Sequence, residues 1–144
     1  MTFTNLQLQP IEIHLDSKFL PDSQGYISVG TRFKPAVEYV SIDSGLSQIT
    51  ELVELGSNDQ LRIFVRGLTF GDSVKIKDIR VGNITLQHYI YQGRQYNPKF
   101  DQFWQPGTDF DFDGVFELDL TMPVWRWIMN NIEREIREQQ SSIS

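Results

Sequence analysis

The chain has 144 residues, no cysteine and a formal net charge of −6, and 40% of its residues are hydrophobic. A chain of this length fits one domain and buries enough surface for a core without disulfides, which the missing cysteines exclude together with thiolate chemistry. The acidic charge disfavours nucleic acid as a partner, because phosphate neutralisation needs a basic surface.

The first eight residues have no basic region and no continuous apolar run. They do not resemble a signal peptide, so we expect synthesis in the cytoplasm without one. No stretch of the sequence approaches the roughly 20 apolar residues of a membrane span, and we therefore expect no membrane insertion.

Short alternating segments separated by turn residues dominate the first 90 positions, which is typical of antiparallel β-strands. The predicted strands cover residues 11–15, 27–33, 37–42, 61–66, 74–81 and 84–90. The alternation within 74–81 changes phase at Asp78, which predicts a β-bulge there. Residues 46–55 have helical spacing and strand-like composition at once, and both interpretations stay open.

Residues 109–120 alternate acidic and apolar side chains almost without exception. Because successive side chains of a strand point to opposite faces, this pattern predicts a half-buried strand or a hairpin turning at Asp113 and Gly114. Its outer face would carry five carboxylates. These belong to Asp109, Asp111, Asp113, Glu117 and Asp119.

The run D-x-D-x-D-G at 109–114 also matches the start of a calcium-binding loop, with Glu117 at the ninth position. The twelfth position holds Leu120 instead of the bidentate glutamate, and the strand interpretation explains that leucine better. Calcium is the one candidate cofactor. Its candidate ligands are Asp109, Asp111, Asp113 and Glu117.

Eight aromatic residues lie between Tyr89 and Phe112, interspersed with glutamines and an arginine. Flat aromatic rings beside amide and guanidinium donors suit the apolar C–H faces and hydroxyls of a sugar. The alternative is that the rings cover one end of the domain as a small core. The candidate glycan-binding residues are Tyr91, Arg94, Tyr96 and Trp104.

The C-terminal segment predicts an amphipathic helix over 123–139, with Thr121 as N-cap and Pro123 in the first turn. Its apolar stripe consists of Val124, Ile128, Ile132 and Ile136, flanked by Trp125 and Met129. We expect a β-sandwich domain over 1–122, this helix packed on the domain or on a neighbour, and a flexible tail at 140–144.

The sequence has no GxSxG elbow, no HExxH zinc motif and no glycine-rich phosphate-binding loop. The two histidines, His14 and His88, lie in alternating segments with apolar neighbours, which favours structural roles. We therefore predict that the protein is not an enzyme.

The strands at 61–66, 74–81 and 114–120, with the turn at Gly71 and Asp72 between the first two, resemble a β-jelly-roll module over residues 58–128. Carbohydrate-binding modules and structural proteins of viruses and bacteriophages use such modules. The resemblance implies a mostly β fold, an antiparallel jelly-roll-like β-sandwich, here followed by one amphipathic α-helix.

Charge is segregated along the chain. Residues 1–60 carry three basic and eight acidic side chains, residues 61–105 seven and three, and residues 106–144 three and eight. These charges pair within the fold or join neighbouring copies. In the second case a basic face meets the acidic face of a neighbour, and the helix buries its tryptophans. The residues concerned are Arg62, Arg66, Lys75, Lys77, Trp125 and Trp127.

Our leading hypothesis is a non-enzymatic assembly protein that binds itself or another structural protein as a homo-oligomer or complex. A virion component, such as a capsid-decorating, neck or tail protein, fits this description. The alternative is a carbohydrate-binding module that uses the aromatic segment 89–108.

Overall fold

The computed structural model describes residues 7–32, 38–96, 105–111 and 113–143. Two antiparallel sheets form a sandwich, and a helix follows at the C-terminus, which confirms the predicted fold class. The strands are β1 (Gln7–Lys18), β2 (Gly25–Thr31), β3 (Val40–Ile42), β4 (Gly45–Leu55), β5 (Asn58–Arg66), β6 (Ser73–Val81), β7 (Ile84–Thr85), β8 (Arg94–Tyr96), β9 (Gln105–Pro106), β10 (Asp109–Phe110) and β11 (Gly114–Thr121). A 3-10 helix covers Ile90–Gln92, and α1 covers Val124–Ile143.

The first sheet, sheet A, has the order β10-β6-β1-β4, with β7 also paired to β6. The second sheet, sheet B, has the order β3-β2-β5-β11-β8-β9. Alternate residues of each long strand point inward, so the core forms between the sheets. Its most deeply buried members include Ile11, Ile13, Leu15, Leu61, Ile63, Val65, Phe110 and Phe116.

The ambiguous segment 46–55 is a strand. It pairs with β1 along its length, with Ile49 opposite Ile13. Leu46 and Leu52, which produced the helical spacing, lie exposed on the outer side of β4. Pairing with a long neighbouring strand therefore decides between the two interpretations.

The β-bulge predicted near Asp78 is confirmed. Ile76 pairs with Leu15 and Asp78 pairs with His14, so Lys77 is the extra residue of β6. The bulge keeps both Ile76 and Ile79 in the core although they are an odd number of residues apart.

The strand predicted over 84–90 is wrong beyond Thr85. The carbonyl of Leu86 accepts the backbone N–H of both Tyr89 and Ile90, which turns the chain into the 3-10 helix. Leu86 and Ile90 are buried, so their apolar character anchors a turn instead of alternating along a strand.

The single acidic face predicted for 109–120 is also wrong. Asp109 lies on β10 in sheet A, whereas Glu117 lies on β11 in sheet B, because the chain crosses between the sheets after Phe110. The basic face is divided in the same way. Arg62 and Arg66 lie on β5 of sheet B, and Lys75 and Lys77 on β6 of sheet A.

Helix α1 begins later and ends later than predicted. Thr121 pairs with Asn58 as the last residue of β11 and is not the N-cap. The helix continues to Ile143, through most of the tail predicted to be flexible. In the described part of the chain, no helix is long and apolar enough to cross a membrane.

Candidate functional site

A pocket of about 520 Å³ opens between β6, the 3-10 helix and the turn that joins β9 to β10. We call it the Tyr91 pocket. Its lining includes Lys75, Lys77, Gln87, Ile90, Tyr91 and Thr108.

Backbone hydrogen bonds hold the walls of the Tyr91 pocket. The N–H of Ile76 donates to the carbonyl of Thr108 at 2.9 Å, which attaches the turn to β6. The 3-10 helix ends where the N–H of Gly93 donates to the carbonyl of Ile90, also at 2.9 Å. Because Ile90 is buried in the core, the turn that carries Tyr91 has a fixed position.

Two neighbouring tyrosines have different environments. Tyr89 is buried and packs edge-on against Trp127 of α1, and burial raises the pKa of its phenol. Tyr91 is 59% exposed, and its hydroxyl donates to Oε1 of Glu135 at 3.4 Å. Tyr89 therefore attaches the helix to the sandwich, and Tyr91 presents its ring at the surface.

The lining of the Tyr91 pocket combines one exposed aromatic ring with an amide, a hydroxyl and two ammonium groups. Lys75 lies across from Asp109 on β10 and from Asp16 on β1. Among the described residues, neither Lys75 nor Lys77 forms an ion pair with a carboxylate within 4.0 Å. The pocket can therefore offer several hydrogen-bond donors to a bound polar molecule.

Arg94 and Arg62, predicted as binding residues, converge on Glu117 at the outer face of sheet B. Nη2 of Arg94 lies 2.8 Å from Oε1 of Glu117, and Nε of Arg62 lies 3.5 Å from Oε2. The amide of Gln60 also donates to Oε1, at 2.9 Å. The hydrogen bond that Arg94 donates to the Glu117 carboxylate raises the pKa of Arg94. These predicted binding groups pair within the fold.

The structure describes three of the four predicted glycan-binding residues and separates Tyr91 from the other two. Tyr91 lines the pocket beside sheet A, whereas Arg94 and the half-buried Tyr96 lie on β8 of sheet B. Trp104 lies outside the described residues. Tyr91 is instead brought together with Lys75 and Lys77, which the sequence suggested for protein contacts.

The predicted calcium ligands are also separated. Glu117 is held by two arginines, and Oδ1 of Asp113 accepts the N–H of Leu68 at 2.8 Å. Asp109 and Asp111 are exposed. Within the described ranges, no three histidine, aspartate or glutamate side chains are arranged to hold a metal ion.

The two tryptophans predicted at an interface divide between core and surface. Trp127 is buried against Tyr89 and belongs to the core. Trp125 is exposed. Trp127 is therefore not accessible to a partner, because the helix turns that residue toward the sandwich.

Gln87 and Thr108 were not predicted as site residues. Gln87 lies within the strand predicted over 84–90 and Thr108 at the end of the aromatic segment 89–108, and neither position carries a sequence signal. Only the tertiary fold brings them to the rim of the pocket with Tyr91.

No protein-family model matches the chain, and no curated protein matches it in sequence. Solved structures of the carbohydrate-binding module vCBM60 are similar in fold. The complex of vCBM60 with galactobiose has a TM-score of 0.55 at 13% identity, over 77% of this chain and 99% of that chain. The selenomethionine form has a TM-score of 0.56 at 16% identity, over 76% of this chain and 88% of that chain.

The second structure is described as linking two families of calcium-dependent carbohydrate-binding modules by circular permutation. At these identities the similarity concerns the fold. It confirms the resemblance to jelly-roll modules over a larger part of the chain than residues 58–128. The chain thus shares the β-sandwich architecture of a carbohydrate-binding module.

Proposed function

We propose that this protein is a non-catalytic β-sandwich that binds carbohydrate in the Tyr91 pocket. The observation that carries the proposal is the exposed ring of Tyr91 beside the polar groups of Gln87 and Thr108 in one pocket. Binding pockets combine apolar surface with a few placed polar groups. A sugar uses both, because its C–H face packs on a ring while its hydroxyls accept and donate hydrogen bonds.

The similar structures support this proposal at the level of architecture. Both are carbohydrate-binding modules, and one is in complex with galactobiose. The fold alone does not transfer a binding residue. The pocket residues of this chain are therefore proposed from its own geometry.

The composition of the pocket favours binding over hydrolysis. Glycosidases use a pair of carboxyl groups beside the scissile bond. The described lining of the Tyr91 pocket holds lysine, glutamine, tyrosine, threonine, glycine and isoleucine, without a carboxylate or an imidazole. We therefore infer that the pocket holds glycan without cleaving it.

Affinity electrophoresis through gels containing soluble polysaccharides, a galactan among them, tests the proposal. We expect at least one polysaccharide to retard the protein, and Tyr91→Ala to weaken retardation about tenfold or more, as for the loss of a buried aromatic contact. Phe70→Ala is the matched control, because Phe70 is 95% exposed and lies outside the pocket lining. Retardation by no polysaccharide, or equal loss in both variants, contradicts the proposal.

The same gels test the calcium hypothesis for Asp109, Asp111 and Asp113, which are close in sequence but which the structure does not arrange around a common point. We leave Glu117 out of this proposed ligand set, because its carboxylate pairs with Arg62 and Arg94. If calcium takes part, EDTA abolishes retardation, added calcium restores it, and Asp111→Asn weakens it. Equal retardation in EDTA and in calcium removes calcium from the proposal and leaves the Tyr91 pocket unaffected.

The hypothesis of a virion component draws no support from the two similar structures. Its basic-to-acidic contact between copies is weakened as well, since the predicted charged faces are each divided between the two sheets. Self-association remains a proposal on a different basis, an exposed apolar stripe of α1.

A further inference from the structure

Helix α1 exposes an apolar stripe beside the face that packs on the sandwich. Trp125, Met129, Ile132 and Ile136 are 55%, 50%, 37% and 49% exposed. Their spacing of four, three and four residues is that of the core positions of a coiled coil. We call these four residues the α1 seam. An ordered apolar stripe of this kind marks an interaction surface.

A different face of the helix contacts the sandwich. Val124 and Trp127 are buried against the domain, and Oδ1 of Asn131 accepts a hydrogen bond from Nε2 of Gln92 at 2.7 Å. Nδ2 of Asn131 donates to the carbonyl of Trp127 at 2.9 Å. The attachment of α1 to its own domain is therefore complete without the α1 seam.

Charges beside the α1 seam favour a second copy of this chain as the partner, with its helix antiparallel to the first. Arg126 and Glu133 directly follow Trp125 and Ile132, so both lie on the same flank of the stripe, at the e positions of the heptad. In an antiparallel helix pair, the e positions of one helix face the e positions of the other. Arg126 of each copy then lies opposite Glu133 of the other copy. In a parallel pair, e faces g, so Arg126 and Glu133 of the two copies would not meet and both charge contacts would be lost.

We propose that α1 is an interface with a second copy of the protein, in an antiparallel helix pair centred between Met129 and Ile132. The seam is small beside the roughly 800 Å² per partner of a standard interface, so we expect a weak dimer with a dissociation constant on the order of micromolar or higher. This proposal does not depend on carbohydrate binding.

Sedimentation equilibrium over a wide range of protein concentration tests the interface. We expect a monomer–dimer equilibrium that Met129→Glu weakens about tenfold or more, because a carboxylate would be buried in the seam. Asn130→Glu is the matched control, since it adds the same charge to the neighbouring exposed position outside the seam. Thermal melting of each variant verifies that the monomer is folded.

Exchanging the charges of Arg126 and Glu133 tests whether the two helices pair antiparallel. Arg126→Glu and Glu133→Arg each weaken the antiparallel dimer, and the double exchange restores it. Glu133 also lies 3.7 Å from Arg137 within the same helix, but both are exposed and such pairs contribute little. The antiparallel arrangement would be ruled out if the double variant did not recover dimerisation. It would also be ruled out if each single variant dimerised like wild type.

Three other results overturn the interface itself. One is a wild-type monomer throughout the concentration range. Another is a dimer that Met129→Glu leaves intact. The third is a dimer that Met129→Glu and Asn130→Glu weaken equally. Glycan retardation in the seam variants should match wild type, so failure of this proposal is distinguishable from failure of the carbohydrate site.

Discussion

Tyr89 and Trp127 meet edge to face, with ring centroids 5.7 Å apart and an interplanar angle of 84°. This contact joins the helix to the turn that carries the candidate site. Tyr91 adds a second link through its hydroxyl to Glu135. The surface position of Tyr91 therefore depends on the same packing that attaches α1 to the sandwich.

Trp127→Ala should lower the free energy of unfolding by about 3–5 kcal/mol, because it removes a large buried ring and leaves a cavity. Urea titration measures this change. Trp125→Ala is the control, since Trp125 is exposed and its loss should cost about 0.5 kcal/mol or less in the monomer. Similar losses in the two variants would mean that Trp127 does not anchor the helix.

Glu117→Gln should destabilise the protein by about 1–3 kcal/mol, because a buried carboxylate that accepts bonds from Arg94 and Gln60 loses its charge. Glu138→Gln is the control, because it makes the same chemical change at an exposed carboxylate that lies 4.0 Å from Arg134. We expect it to change the free energy of unfolding little. The comparison uses urea titration at low protein concentration. A neutral result at Glu117 would show that this network adds nothing to stability.

Asp72 should make stability depend on pH in the acid range. Its carboxylate accepts the backbone N–H groups of Leu20 and Thr69 at 2.9 and 2.8 Å, which lowers its pKa from 3.8 to about 2. Because the folded pKa lies below the unfolded one, the stabilisation is complete above about pH 4 and is lost as pH falls through 2. Asp72→Asn should therefore be less stable than wild type at pH 6, with a difference that shrinks by pH 2. A difference independent of pH would contradict this assignment.

Gly93→Ala should destabilise the fold by about 1–3 kcal/mol. The backbone of Gly93 is extended, so the reason is space and not conformation. An added Cβ would collide with the ring of Phe116, which is fully buried and cannot move aside. Thermal melting measures the change, and a wild-type melting temperature would show that the core repacks there.

Period-two alternation predicted most of the strands but not the sheet to which each belongs. The bulge near Asp78 was predictable because it interrupts the alternation within one strand. The separation of Asp109 from Glu117 was not, since the chain changes sheets between them and the alternation continues on both sides. Local sequence specifies which residues face inward, whereas long-range pairing decides the partner strand.

The residues of the candidate site were likewise only partly predictable from local sequence. Tyr91 was predicted from its aromatic surroundings, and it is exposed in a pocket. Arg94 was grouped with it by sequence proximity, but Gly93 lets the chain enter sheet B, where Glu117 binds the guanidinium. Gln87 and Thr108 reach the pocket from separate turns, a meeting that requires the whole fold.

The most direct test of the central claim is an amide NMR titration with galactobiose, and with oligosaccharides of any polysaccharide that retards the protein. We predict shifts concentrated at Lys75, Lys77, Gln87, Tyr91 and Thr108, with the face around Glu117 unchanged. Shifts confined to sheet B, or none with any glycan, would contradict carbohydrate binding at the Tyr91 pocket.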